Sequence, residues 1–214
     1  MSATNILIII FCFAFIVAAP LIKQYLRSSK VKGKIGEAFV GAFLSRLGEE
    51  YTVINNVTLI ADGDSTQIDH IVVSLRGIWV IETKNYQGYI FGSDKDSTWT
   101  QKLGRQSFKF QNPLRQNLKH IKYLAQHLGI RESFIEPLVV FLGNANFPKG
   151  VPNGVCYPID VLKIIKSKSE TVMNNAQMIG ITMKIKRLGE TTSEKTETHL
   201  QTLEQRHSNR ISNK

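Results

Sequence analysis

The stretch Gln67-Ile-Asp69-His70-Ile-Val-Val-Ser-Leu75-Arg76-Gly77-Ile78-Trp-Val-Ile-Glu82-Thr-Lys84-Asn85 reads as a β-hairpin with charge gathered at its open end. Two apolar-rich runs, Thr66 to Leu75 and Ile78 to Lys84, flank Arg76-Gly77, a pair suited to a tight turn. Strand side chains alternate faces, so Glu82 and Lys84 project from one side. With Arg76-Gly77 as a two-residue turn, Leu75 faces Ile78, and Asp69 falls opposite Lys84 and diagonal to Glu82, within side-chain reach. The rest of that face is Ile71, Val73, Leu75, Ile78 and Val80, all apolar. A charged trio at the end of a hydrophobic face is costly as bare structure. Two carboxylates beside a lysine suit a hard divalent cation such as Mg²⁺, which polarises a phosphoryl oxygen while the lysine orients an attacking water. An ordinary cross-strand Asp–Lys ion pair fits the same spacing.

Outward from the hairpin, Ile35, Phe39, Ala42, Phe43 and Leu47 recur at helical spacing, which predicts a helix over Lys34 to Leu47 stopped by Gly48. Tyr51 to Leu59 reads as a strand, and Ala61 to Ser65 is turn chemistry. Tyr89 to Phe91 and Thr98 to Lys102 read as short strands. Asn112 caps a helix with Pro113 in its first turn, Leu114, Leu118, Ile121, Leu124 and Leu128 as its buried stripe, and Gly129 as its end. Pro137 to Leu142 is a buried strand, and Asp160 to Ile165 and Thr171 to Lys186 are helices. This order predicts an α/β sandwich with a central mixed sheet.

The chain has 214 residues, with 27 Lys and Arg against 17 Asp and Glu, a net charge of +10. That length accommodates one full domain with appendages. Two cysteines, Cys12 and Cys156, exclude a disulfide framework and a cysteine zinc site. Ile6 to Ile22 is apolar throughout, and residues 6–26 read as one transmembrane helix in the lipid bilayer. No positive charge precedes the run, as a signal peptide would require. Lys23, Arg27, Lys30, Lys32 and Lys34 follow it, so the positive-inside rule predicts a single-pass protein of the cell (inner) membrane with its C-terminal domain in the cytoplasm. Residues 187–214 lack aromatics and are dominated by polar side chains, which predicts a disordered tail.

Gln67-Ile-Asp69-His70 followed by Gly77-Ile-Trp-Val-Ile-Glu82-Thr-Lys84-Asn85, with Gly36-Glu37 upstream and Gly88, Trp99, Asn112-Pro113 and Gln116 downstream, resembles the nuclease-related domain of many bacterial proteins. That domain is similar to the PD-(D/E)xK endonuclease-like superfamily. The resemblance implies a restriction-endonuclease-like α/β sandwich over residues 32–186, between an anchor at 1–31 and the tail at 187–214. It implies Glu37, Asp69 and Glu82 as the acids holding Mg²⁺ or Mn²⁺, Lys84 as the catalytic lysine, and Gln116 as a further active-site residue. Isoleucine, not the superfamily's common proline, precedes Asp69. His70 points away from Asp69 and is expected to pack or hydrogen-bond. His120, Tyr123 and His127 read as a solvated polar face.

Between Asp96 and Glu132 the chain carries Lys102, Arg105, Lys109, Arg115, Lys119, Lys122 and Arg131 without an acid, interleaved with Trp99, Phe108 and Phe110. Such a segment suits phosphate contacts and base stacking, so nucleic acid, DNA before RNA, is the expected partner. The expectation is a membrane-anchored, metal-dependent nuclease hydrolysing phosphodiester bonds. The rival reading is a non-catalytic module that tethers DNA to the membrane or binds the membrane surface. Oligomeric state is not encoded in any of these features.

Overall fold

The computed structural model describes residues 28–61 and 64–190. The span expected at residues 6–26, residues 62–63 and most of the expected tail, from 191 on, lie outside the described residues. Among those described, no helix is long and apolar enough to cross a membrane.

The elements run α1 (Ser29–Leu44), β1 (Tyr51–Ala61), β2 (Asp64–Ser74), β3 (Gly77–Asn85), β4 (Gly88–Phe91), β5 (Thr98–Leu103), β6 (Gln106–Gln111), α2 (Pro113–Leu128), β7 (Ile135–Leu142), β8 (Ala145–Asn146), β9 (Val155–Cys156) and α3 (Pro158–Ser167). A further helix, α4, occupies 175–190. It starts later than the expected Thr171 and takes in the first residues of the segment assigned to the tail. The main sheet has the order β1-β2-β3-β7-β9. Its first three strands are antiparallel, and β7 runs parallel to both β3 and β9, so the sheet is mixed. A second sheet, β6-β5-β4-β8, flanks it.

Two apolar layers sandwich the main sheet. Ile71, Val73, Ile78 and Val80 pack against Ile121, Leu124 and Leu128 of α2 and Ile185 of α4. On the other face Val72, Trp79 and Ile81 meet Val40 and Leu44 of α1 and Val161 and Ile165 of α3. β3 therefore buries both faces, as its near-continuous apolar run requires. The second sheet closes over the end of β7 through Trp99, Ile90, Phe141 and Phe147.

Four expectations change. Ser74 pairs with Gly77, so the hairpin turn is Leu75-Arg76 and not Arg76-Gly77. Gly77 takes φ +134, which only glycine adopts readily, and enters the strand itself. The register shift is two residues, so every side chain keeps its face, but Asp69 comes level with Glu82 instead of Lys84. In α1 the buried stripe is Gly36, Val40 and Leu44, while Ile35 and Phe39 are about half exposed. The helix starts at the Ser28 cap and ends before Ser45, not at Gly48. In α2 the cap at Asn112 and the left-handed Gly129 are as expected, yet Leu118 is 53% exposed. Asn117 takes its place inside, donating its amide to the carbonyls of Val80 (2.9 Å) and Leu138 (3.1 Å). Finally, β6 was not expected; its residues are nearly all exposed and carry no buried-face signal.

Candidate active site

Gly36 sets the approach of α1 to β3. A Cβ there would stand 2.9 Å from the Cβ of Asn85, closer than real side chains come, and the Asn85 amide donates to the Lys32 carbonyl at 2.8 Å. The next residue, Glu37, is thereby carried to the end of β3. There Lys32, Glu37, Asp69, Glu82, Lys84, Gln116 and His120 line one cavity of about 720 Å³. All five residues expected to be catalytic thus share one cleft.

Asp69 arrives through a local irregularity. The β1–β2 ladder skips the pair Asn56 and Asp69, and Asn56 adopts φ +56. On its near side Tyr51, Val53 and Val72 face α1, whereas beyond it Val57, Leu59 and Ile68, which share their parity, face α2. Both strands exchange faces at this pair, and Asp69 sits at the exchange. Its Oδ2 accepts the Thr83 backbone N–H at 2.8 Å. His70 is turned the other way, buried, with Nδ1 2.7 Å from Asn55 Oδ1, as expected.

Glu82 is 3% exposed and engaged at both oxygens. Lys84 Nζ donates to Oε1 at 2.6 Å and also to Gln116 Oε1 at 3.0 Å. His120 Nε2 stands 3.1 Å from Oε2, and His120 Nδ1 is 2.8 Å from Thr66 Oγ1. His120 is therefore not on a solvated face: it is 2% exposed and belongs to the cleft. Sequence spacing contains the signal, since His120 follows Gln116 by one helical turn, but the leucine at Leu118 masks it by suggesting a different buried stripe. His127 lies elsewhere, bridging the Tyr123 and Ile60 carbonyls.

The electrostatics are those of crowded anions. Burial and the neighbouring Glu82 push Asp69 up to about 7, against the Thr83 bond and Lys84. Glu37 is raised as well, by burial first and then by Glu82. Burial would raise Glu82 too, but the His120 bond and the charge of Lys84 outweigh it and hold it below the ordinary range. Glu82 is thus held ionised, while Asp69 exchanges its proton near neutrality. Burial lowers His70 to about 4, leaving it neutral.

As they stand, no three His, Cys, Asp or Glu side chains among the described residues are close enough together to hold a metal ion. The donor chemistry nevertheless fits a hard cation: oxygen donors, excess negative charge, and one carboxyl raised by burial and then by repulsion, which a divalent ion would relieve. None of the six expected nucleic-acid-binding residues lines the cleft. Lys102 and Lys109 share the outward face of the second sheet, opposite the inward Gln101 that does line it. Arg105 is exposed in the β5–β6 turn, and Arg115, Lys119 and Lys122 form an exposed stripe on α2 beside Gln116. Lys32, counted in the sequence only among the membrane-flanking charges, does line it.

The model of the nuclease-related domain matches residues 32–142, just over half of the chain, and the chain belongs to that family. An uncharacterized protein of Bacillus anthracis is 53% identical over 95 residues, covering 44% of this chain and 45% of that one. The chain thus spans less than half the length of this relative. SfsA of Pyrococcus furiosus, solved in complex with Ca²⁺, matches at 16% identity and a TM-score of 0.28, over 76% of this chain and 55% of its own, a likeness too slight to carry an argument.

Proposed function

We propose that the protein is a membrane-anchored nuclease that hydrolyses phosphodiester bonds of DNA with the help of Mg²⁺ or Mn²⁺. The observation that carries this reading is the convergence of Glu37, Asp69, Glu82, Lys84 and Gln116 on one cleft, with Lys84 held between Glu82 and Gln116. An ion pair needed only for stability has no use for a second, amide partner and a cavity in front of it. The helix–sheet–helix layering supports a restriction-endonuclease-like sandwich for residues 32–186.

In this reading Asp69 and Glu82 hold the ion with Glu37 alongside, and the ion supplies charge neutralisation and polarisation of the phosphoryl oxygen. Lys84 brings its ammonium group to the cleft, where it stabilises the charge that builds on phosphate and orients the attacking water. Gln116 fixes the ammonium group so that its protons have set directions. Lys32 and the α2 stripe of Arg115, Lys119 and Lys122 contact the phosphate backbone without reading sequence. The apolar run 6–22 and the cations after it anchor the domain at the cytoplasmic face of the inner membrane.

The test is cleavage by the full chain in detergent of labelled single- and double-stranded DNA, with RNA in parallel, under Mg²⁺, Mn²⁺ or EDTA. Metal-dependent cleavage of DNA that Asp69→Ala and Lys84→Ala each reduce at least a hundredfold supports the reading. Cleavage of RNA alone corrects the substrate. Activity surviving both substitutions overturns the assignment, and salt-sensitive DNA binding without turnover in any metal makes the protein a tether.

A further inference from the structure

Gln116 and His120 stand one turn apart on α2, and they end on the two partners of one ion pair, Gln116 on Lys84 and His120 on Glu82. Between them Asn117 is fully buried and ties the helix to the backbones of β3 and β7. With α2 pinned at that point, the polar contacts form an unbroken chain: Thr66 to His120, His120 to Glu82 Oε2, Glu82 Oε1 to Lys84, and Lys84 to Gln116. An ionised carboxylate only accepts, so the proton on Nε2 of His120 belongs to the bond with Glu82. The Thr66 hydroxyl, which can donate or accept, satisfies Nδ1 from the other side.

We propose that His120 is a positioning residue for the catalytic carboxylate: it holds Glu82 by Oε2 in one rotamer, which leaves Oε1 to Lys84 and the cleft. The proposal rests on the nuclease reading for its chemistry but not for its geometry. Without this contact Glu82 keeps two acidic neighbours, Asp69 and Glu37, whose charges oppose its own, and a single lysine that holds it. Partners behind a ligating carboxylate commonly change ion affinity 10- to 100-fold when removed. Thr66 belongs to the same device, as the group that keeps the imidazole from rotating.

Two amide substitutions separate the contacts. The amide of Gln reaches the place of Nε2 and keeps the bond to Glu82; that of Asn reaches only the place of Nδ1 and keeps the bond to Thr66. Mn²⁺ affinity of the full chain is measured by titration calorimetry without nucleic acid, beside the thermal melt in EDTA and the cleavage rate at saturating Mn²⁺. His120→Gln should bind Mn²⁺ within about threefold of the unaltered protein, and His120→Asn about 10- to 100-fold more weakly, with a matching fall in rate at saturation. Equal Mn²⁺ affinities for the two variants, whatever their melting temperatures, overturn the proposal, because a structural histidine would move only the melt. Absence of Mn²⁺ binding by the unaltered protein overturns it as well. If the protein binds Mn²⁺ and cleaves nothing, the nuclease reading fails while the comparison of Gln with Asn still decides the role of His120.

Discussion

Asp69→Asn should make the metal-free protein more stable above neutral pH, and the gain should vanish in acid. In the folded chain this carboxyl is raised from 3.8 to about 7 by burial and by Glu82 and Glu37. A raised carboxyl is a cost of folding that is absent below the unfolded value, builds between about pH 4 and pH 7, and is complete above. A shift of about three units at about 1.4 kcal/mol each sets a ceiling near 4 kcal/mol. Asparagine removes the charge and can still accept the Thr83 N–H with its carbonyl oxygen, so that bond survives. Its amide stays buried at some cost, and about 2 kcal/mol is the expected net gain. For a domain of this size that is roughly 4–8 °C in melting temperature. The assay is a thermal melt of both proteins in EDTA at pH 8.5 and pH 4.5, where the difference should fall below about 1 kcal/mol. Saturating Mn²⁺ should stabilise the unaltered protein and leave the variant where it was. Equal melting temperatures at pH 8.5, or an advantage that does not depend on pH, would refute the crowded-anion account.

Gly36→Ala and Gly33→Ala make the same change in one helix with opposite expected signs. At Gly36 the new methyl meets Asn85 at 2.9 Å and should cost about 1–3 kcal/mol, whereas at Gly33 the nearest atom is 3.8 Å away and helix propensity should add up to about 1 kcal/mol, both read from melts. Lys32→Glu should weaken DNA binding more than Lys102→Glu or Lys109→Glu, since only Lys32 of the three lines the cleft; equilibrium binding at several salt concentrations ranks them. Cys156, 4% exposed and with its thiol pushed up to about 12, should react with a thiol reagent only after denaturation.

What the sequence disclosed follows the strength of the local chemistry. The α2 helix was legible end to end because Asn112, Pro113 and Gly129 each act within a few residues of their own position. Glu82 and Lys84 were placed on one face by strand alternation alone, and a turn misjudged by one residue left that parity intact. The exchange of faces at Asn56 and Asp69 was not legible, because it depends on a left-handed asparagine whose partner lies across the sheet. His120 is hidden in the sequence for a related reason. Helical periodicity marks apolar faces, and this helix buries Asn117 and His120 among its leucines, because acceptors on β3 and the Glu82 carboxylate await them. In the second sheet β4 and β5 were legible, and β6 was not, because it is exposed along almost its whole length.

The most direct test of the central claim is an anomalous difference map from crystals of the protein grown with Mn²⁺. The account predicts one strong peak in the cleft, within about 2.0–2.3 Å of an oxygen of Asp69 and an oxygen of Glu82, with Glu37 turned toward it and Lys84 still bonded to Gln116. A cleft without a peak at saturating Mn²⁺, or an ion bound elsewhere on the domain, would contradict it.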